Sequence, residues 1–167
     1  MILGMSTSTF TLVHVLLSLA GIGSGFIVVF GLLSRRMLNG WAAIFLTTTV
    51  LTSVTGFLFP FRAVTPGIIL GVLSLIVLAA TIAARYAFHL SGGWRSTYVI
   101  TAIVALYFNC FVAVVQSFEK VPALHSLAPT QKEPPFLAAQ LLVLVVFVVL
   151  GVLSVKKFKL GVASAHA

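Results

Sequence analysis

The stretch Phe136–Val155 reads FLAAQLLVLVVFVVLGVLSV, twenty residues with no charge and only Gln140 and Ser154 as polar side chains. A helix needs about 20 apolar residues to cross a hydrocarbon core roughly 30 Å thick, so this segment has the length of a membrane span. In lipid every backbone N–H and C=O must be bonded inside the protein, which leaves helices or closed barrels. The alternation over about ten residues that marks a barrel strand is absent, so the stretch reads as a helix.

Working outward, four more stretches have the same character: Phe10–Leu33, Trp41–Phe59, Pro66–Ala84 and Thr97–Phe118. No charge occurs from Met1 to Ser34. Across all 167 residues, 60 % are hydrophobic and 7 % charged, with a mean hydropathy of +1.21. A soluble domain has roughly 45–50 % and 25 %. Such a chain has too few polar residues to clothe a water-facing exterior. That excludes a disulfide scaffold, a disordered chain and an ordinary cytosolic enzyme. The expectation is an all-α polytopic transmembrane helical bundle in one integral membrane domain, residues 1–167. Its five spans make a four-helix up-down core plus a fifth, more lipid-exposed helix.

The punctuation agrees with these limits. Thr65-Pro66 reads as an N-cap followed by proline at the first helical position. Gly56 and Pro60 fall where span two ends. Glu133 precedes Pro134-Pro135 at the positive end of the last helix dipole. The N-terminus has no basic segment ahead of its apolar run, which argues against a cleaved signal peptide.

Ten Lys and Arg against two acids give a formal charge of +8. Nucleic acid is not the expected partner, because no basic run is long enough to line a groove. The charges sort by connection instead. Arg35, Arg36, Arg85, Arg95, Lys156, Lys157 and Lys159 fall on one side of a five-span chain. Arg62, Lys120, Lys132, Glu119 and Glu133 fall on the other. The excess of Lys and Arg on cytoplasmic loops puts the first group inside, with the N-terminus outside and the C-terminus cytoplasmic. Trp41, Tyr86 and Trp94 then lie near the inner interface, where an aromatic belt is expected. A second use of Lys156, Lys157 and Lys159 is attraction to anionic lipid.

The outer loop 119–135 is the one connection with room for structure of its own. It is either an irregular connector or a cap at the outer interface, through the apolar patch Val121–Leu127. A short string recurs at Leu38–Trp41 and Leu90–Trp94, about 50 residues apart, the size of a two-helix unit.

Polar residues are the informative ones in lipid. His14, Ser18, Gly21 and Gly25 share one face of span one. Span two is rich in hydroxyls: Thr47, Thr48, Thr49, Thr52, Ser53 and Thr55. Gly67 and Gly71 form a GxxxG pair with Ser74 nearby, and Thr101, Asn109 and Gln116 line one face of span four. Small residues four apart let helix backbones approach, and hydroxyls and amides bond across helices. Gly21, Gly25, Gly67 and Gly71 are therefore the expected helix-packing residues. The competing reading is a polar cavity in the outer half. There His14, Asn109 and Gln116, with His125 folding over from the loop, would bind a small molecule, a quinone head or a proton. No span holds a charge, which disfavours an ion-coupled pump.

No catalytic set is present. Asp is absent, Cys110 is the lone cysteine, and no phosphate-binding glycine loop occurs. No metal site is expected. A membrane haem needs two histidines at matched depth. Here His14 lies in a span, His89 at the opposite end, His125 in the outer loop and His166 in the tail, so no cofactor is expected.

Val13-His14, Gly21, Gly25, the Arg35-Arg36 loop and Thr55-Gly56-Phe57 with Pro60 together resemble a family of uncharacterised small multi-pass bacterial membrane proteins. In that layout a histidine opens the first helix of a hairpin. The likeness covers spans one to four and departs from haem-binding hairpins by lacking paired histidines. It implies a bacterial cytoplasmic (inner) membrane.

The expected role is a non-enzymatic accessory or interaction subunit of a membrane complex. Its partners are the lipid bilayer and other membrane subunits or a second copy of itself. The alternative is a small-molecule carrier using the His14, Asn109 and Gln116 cavity, and a haem-binding redox protein is the third reading.

Overall fold

The computed structural model describes residues 2–60 and 66–163, with side chains described as far as 158 in the last helix. Arg62, Thr65 and His166, and the Lys159 side chain, lie outside the described residues. The described chain is all-α, with no named strand: α1 (Thr7–Leu33), α2 (Asn39–Gly56), α3 (Pro66–Ile82), α4 (Trp94–Lys120), α5 (Pro122–Leu127) and α6 (Pro134–Ala163). A π-helical turn, Ala83–Ala87, extends α3.

Local chemistry sets the ends. Ser6 caps α1 by accepting a hydrogen bond from the Thr9 N–H at 3.1 Å. Pro66 and Pro134 occupy first helical positions, where the missing N–H costs nothing. After α1, Arg35 takes a left-handed φ of 59°, and its N–H and that of Arg36 satisfy the Leu32 and Gly31 carbonyls. The turn before α4 likewise uses left-handed His89 and Leu90.

The long helices run alternately up and down. Along α1 and α2 the touching pairs are His14 with Thr55, Gly21 with Thr49, Gly25 with Phe45 and Gly31 with Leu38. Gly71 of α3 meets Phe57 just past α2, and Arg85 beyond α3 bonds Asn39 at the start of α2. Arg85 also reaches Tyr98 near the start of α4. Between α4 and α6 the pairs are Phe118 with Phe136, Phe111 with Gln140, Tyr107 with Phe147, and Arg95 with Phe158. Arg35, Arg36, Arg85, Arg95, Lys156 and Lys157 therefore gather at one end of the bundle. Glu119, Lys120, Lys132 and Glu133 occupy the other.

Four described helices are long and apolar enough to cross a membrane: Thr7–Leu33, Pro66–Ala87, Trp94–Lys120 and Pro134–Phe158. Helix α2 is shorter and more polar. It ends at Gly56 rather than Phe59, and six of its 18 residues are the hydroxyl side chains between Thr47 and Thr55.

Helices α1, α2, α3 and α4 pack in a ring, each on the next and α4 back on α1, and α6 lies against α1 and α4, so the core is four helices with a further long helix beside it. In the spanning windows of α1 and α4, 39 % and 33 % of residues are buried, against 17 % for both α3 and α6. Phe45, Leu46, Val28, Leu32, Tyr98 and Leu106 fill the core, each under 6 % exposed. Helix α3 and its π-helical turn contribute the buried Leu78 and Ala84 to the same core. A second apolar cluster of Phe118, Ala128 and Phe136 closes the other end of the α4/α6 pair. The loop 119–135 supplies Ala128 and folds its short helix α5 against α4.

Candidate functional site

Helix α1 is close-packed against side chains of α2 and α4 because glycine removes the Cβ where they meet it. A Cβ on Gly25 would sit 2.6 Å from Leu106 Cδ1 and 2.9 Å from Phe45 Cε2. One turn toward the acidic end, a Cβ on Gly21 would sit 3.1 Å from Thr49 Oγ1 and 3.4 Å from Asn109 Nδ2. The missing side chain at Gly21 thus leaves room for the one polar contact here that joins α2 to α4. Asn109 Nδ2 donates to Thr49 Oγ1 at 3.1 Å, and Thr49 is fully buried.

Two turns further along, about 10 Å at 1.5 Å per residue, lies His14. Its Nδ1 is 2.8 Å from Thr55 Oγ1. The Thr55 hydroxyl has one proton, which it donates to the Leu51 carbonyl at 2.7 Å. It therefore accepts from His14, so Nδ1 carries the ring proton and Nε2 is an acceptor. The imidazole stands edge-on to Phe59, with ring centres 5.3 Å apart, and Phe59 in turn meets Phe10 at 5.1 Å. Gly56 lies beside the ring, where a Cβ would be 3.7 Å from His14 Cε1.

The four residues expected to meet at a cavity make separate contacts. His14 bonds Thr55 and Asn109 bonds Thr49. Gln116 Nε2 donates to Glu119 Oε2 on its own helix at 3.2 Å. His125 is exposed on α5. In span two the buried Thr52 hydroxyl has no hydrogen-bond partner, while Thr48 donates to the Ile44 carbonyl at 2.7 Å and Ser53 to the Thr49 carbonyl at 2.9 Å. Such back-bonding satisfies a hydroxyl within its own helix. Of the expected packing glycines, Gly21 and Gly25 face α2 and α4, and Gly71 faces Phe57. Gly67, in the first turn of α3, is exposed. Cys110 is half-buried and free.

Two features escaped the sequence reading. The first is Arg85, which charge counting treats as a topology marker. At the π-helical turn it donates to Asn39 Oδ1 at 2.7 Å and to Tyr98 Oη at 3.3 Å. Its guanidinium lies 5.4 Å from the ring centres of Tyr86 and Tyr98. The π-helical turn rotates Arg85 onto this position, tying α2, α3 and α4 together at the basic end. The second is an apolar groove of about 440 Å³ between α4 and α6, lined by Ile103, Tyr107, Phe147, Gly151 and Lys156 among others. Gly151 in an otherwise bulky aliphatic run was its one sequence signal.

Among the described residues no group of three or more His, Cys, Asp or Glu stands close enough to hold a metal ion. The chain matches no protein-family model, and no curated protein or solved structure shows significant similarity to it.

Proposed function

We propose that this chain is a five-span integral membrane protein of a bacterial cytoplasmic membrane, with a non-catalytic role as an interaction subunit of a membrane assembly. In this reading α2 is the fifth span. It lies against α1 from His14–Thr55 at one end to Gly31–Leu38 at the other, so it runs the depth of its neighbour. The N-terminus is outside and the C-terminus inside, because six described basic side chains gather at one end and both acids at the other.

The observation that carries the role is how the polar side chains of the spans are used. Asn109 and Thr49 clamp α4 to α2, His14 and Thr55 clamp α1 to α2, and Thr48 and Thr55 bond their own backbone. Their chemistry goes into holding the bundle. The outward faces of α3 and α6 are aliphatic, with Ile69, Val72, Leu73 and Ile76 on one stripe of α3. A carrier would turn His14, Asn109 and Gln116 toward one void, and their separate partners favour the first reading.

Native-gel analysis and mass spectrometry of the protein purified in mild detergent test the role. We expect stoichiometric co-purification with defined membrane subunits; a lone monomer overturns it. Topology has its own test, using single cysteines at the exposed Ser34, Ser91 and Ser126 in a Cys110→Ala background. With five spans, an impermeant maleimide labels Ser34→Cys and Ser91→Cys from the same side and Ser126→Cys from the other. Labelling of Ser34→Cys and Ser91→Cys from opposite sides removes the α2 span.

A further inference from the structure

The groove between α4 and α6 has a shape and a charge that define an occupant. Its walls are Ile100, Ile103 and Tyr107 of α4 and Phe147, Val148 and Gly151 of α6. Polar surface is almost absent from it until Lys156, which lines its end. Along α6 it runs from Leu144 to Lys156, twelve residues or about 18 Å at 1.5 Å per residue. One leaflet of a hydrocarbon core roughly 30 Å thick is about 15 Å. The groove thus spans a single leaflet, beginning near mid-bilayer and ending at headgroup level.

Cations cluster where it ends. Arg95, at the start of α4, lies at this end with its guanidinium 5.9 Å from the ring centre of Phe158, which is two residues past Lys156 on the buried side of α6. Lys157 is adjacent and exposed. Both acids of the chain sit at the opposite end of the bundle, so no carboxylate neutralises this mouth. Gly151 is what opens the wall. A Cβ there would reach no closer than 3.8 Å to any neighbour, Ile103 Cγ2, so the site is space left unfilled rather than a close helix contact.

We propose that this groove is a binding site for one anionic phospholipid of the basic-side leaflet, with an acyl chain along Tyr107, Phe147 and Gly151 and the phosphate at the groove end beside Lys156, in the field of Arg95 at the same end of the bundle. The chain makes dispersion contacts with the aliphatic wall, and the two cations distinguish an anionic headgroup from a zwitterionic one. Juxtamembrane basic side chains attract anionic lipid in this way. The inference is independent of the proposed role as a subunit, because it concerns the purified chain alone.

The test is native mass spectrometry of the delipidated full-length protein titrated with phosphatidylglycerol or phosphatidylcholine of identical chains. We expect one phosphatidylglycerol retained in preference to phosphatidylcholine. Lys156→Gln and Arg95→Gln each lower that preference about fivefold, as loss of one near-surface cation does. Gly151→Phe fills the groove and abolishes retention of both lipids. Circular dichroism and the melting curve confirm that each variant is folded; a Gly151→Phe variant that fails this check is replaced by Val148→Trp, which blocks the same wall from the side chain of a lining residue. Equal retention of the two lipids, or unchanged preference in both charge variants, overturns the proposal. So does crosslinking of Val148→Cys to a second copy in lipid, since a helix then fills the groove. Loss of the subunit interaction with lipid retention intact leaves this proposal standing and removes only the role proposed above.

Discussion

Helices α1 and α6 are both apolar and both long enough to cross a membrane, yet they are packed by different means. Helix α1 lies in the centre, and glycines at 21, 25 and 31 receive the side chains of α2 and α4. Helix α6 lies beside the four-helix ring, and its Gly151 meets nothing nearer than 3.8 Å. The contrast shows that a glycine in a membrane helix has two uses. At Gly25 it permits a close approach, and at Gly151 it leaves a groove. Lipid is as apolar as leucine, so helix association rests on close packing and interhelical hydrogen bonds rather than on removal of apolar surface from water. Gly21 and Gly25 therefore contribute to cohesion, and Gly151 does not.

The largest expected break in this contrast is Gly25→Ala. Its methyl would press on Leu106 and Phe45, and overpacking of this kind costs about 1–3 kcal/mol. Steric-trap unfolding in bicelles measures it; a loss too small to detect would mean that α1 stands off from α4. A smaller effect is expected from the Asn109–Thr49 bond. A double-mutant cycle of Asn109→Ala and Thr49→Val should give a coupling of about 0.6 kcal/mol and no more than about 1.7 kcal/mol, the range of interhelical hydrogen bonds in membranes. Zero coupling would reassign the cohesion of the centre to packing alone. The smallest effect is Gly151→Ala, expected to change stability by less than about 0.5 kcal/mol because its Cβ enters open space. A cost as large as that of Gly25→Ala would erase the distinction between the two helices.

Much of this was legible in the chain. The apolar runs read as five spans, and four of them are membrane-length helices, since backbone satisfaction in lipid depends on length and composition alone. The spacing of Gly21 and Gly25 marked the packing face of α1 for the same reason, because residues four apart share a face whatever they meet. Asn109 and His14 stood out as polar groups that need partners in lipid. Their partners were not legible. Thr49 and Thr55 are two among six hydroxyls in α2, and which of them turns toward α4 or α1 depends on the rotation of α2 about its axis.

Arg85 draws the line most clearly. As a charge it was counted with the other basic residues at one end. As a side chain it joins α2 to α4 through Asn39 and Tyr98, 46 and 13 residues away. By itself the sequence determined that the chain belongs in a membrane, where along it the long apolar helices lie, and which connections carry the positive charge. Each of these follows from local composition. Only the tertiary structure decided that α6 packs on α1 and α4, that His14 and Asn109 serve different contacts, and that Gly151 opens a groove ending at Lys156. Those outcomes depend on helix rotation and order around the bundle, which are set by side-chain shapes meeting across long distances in the chain.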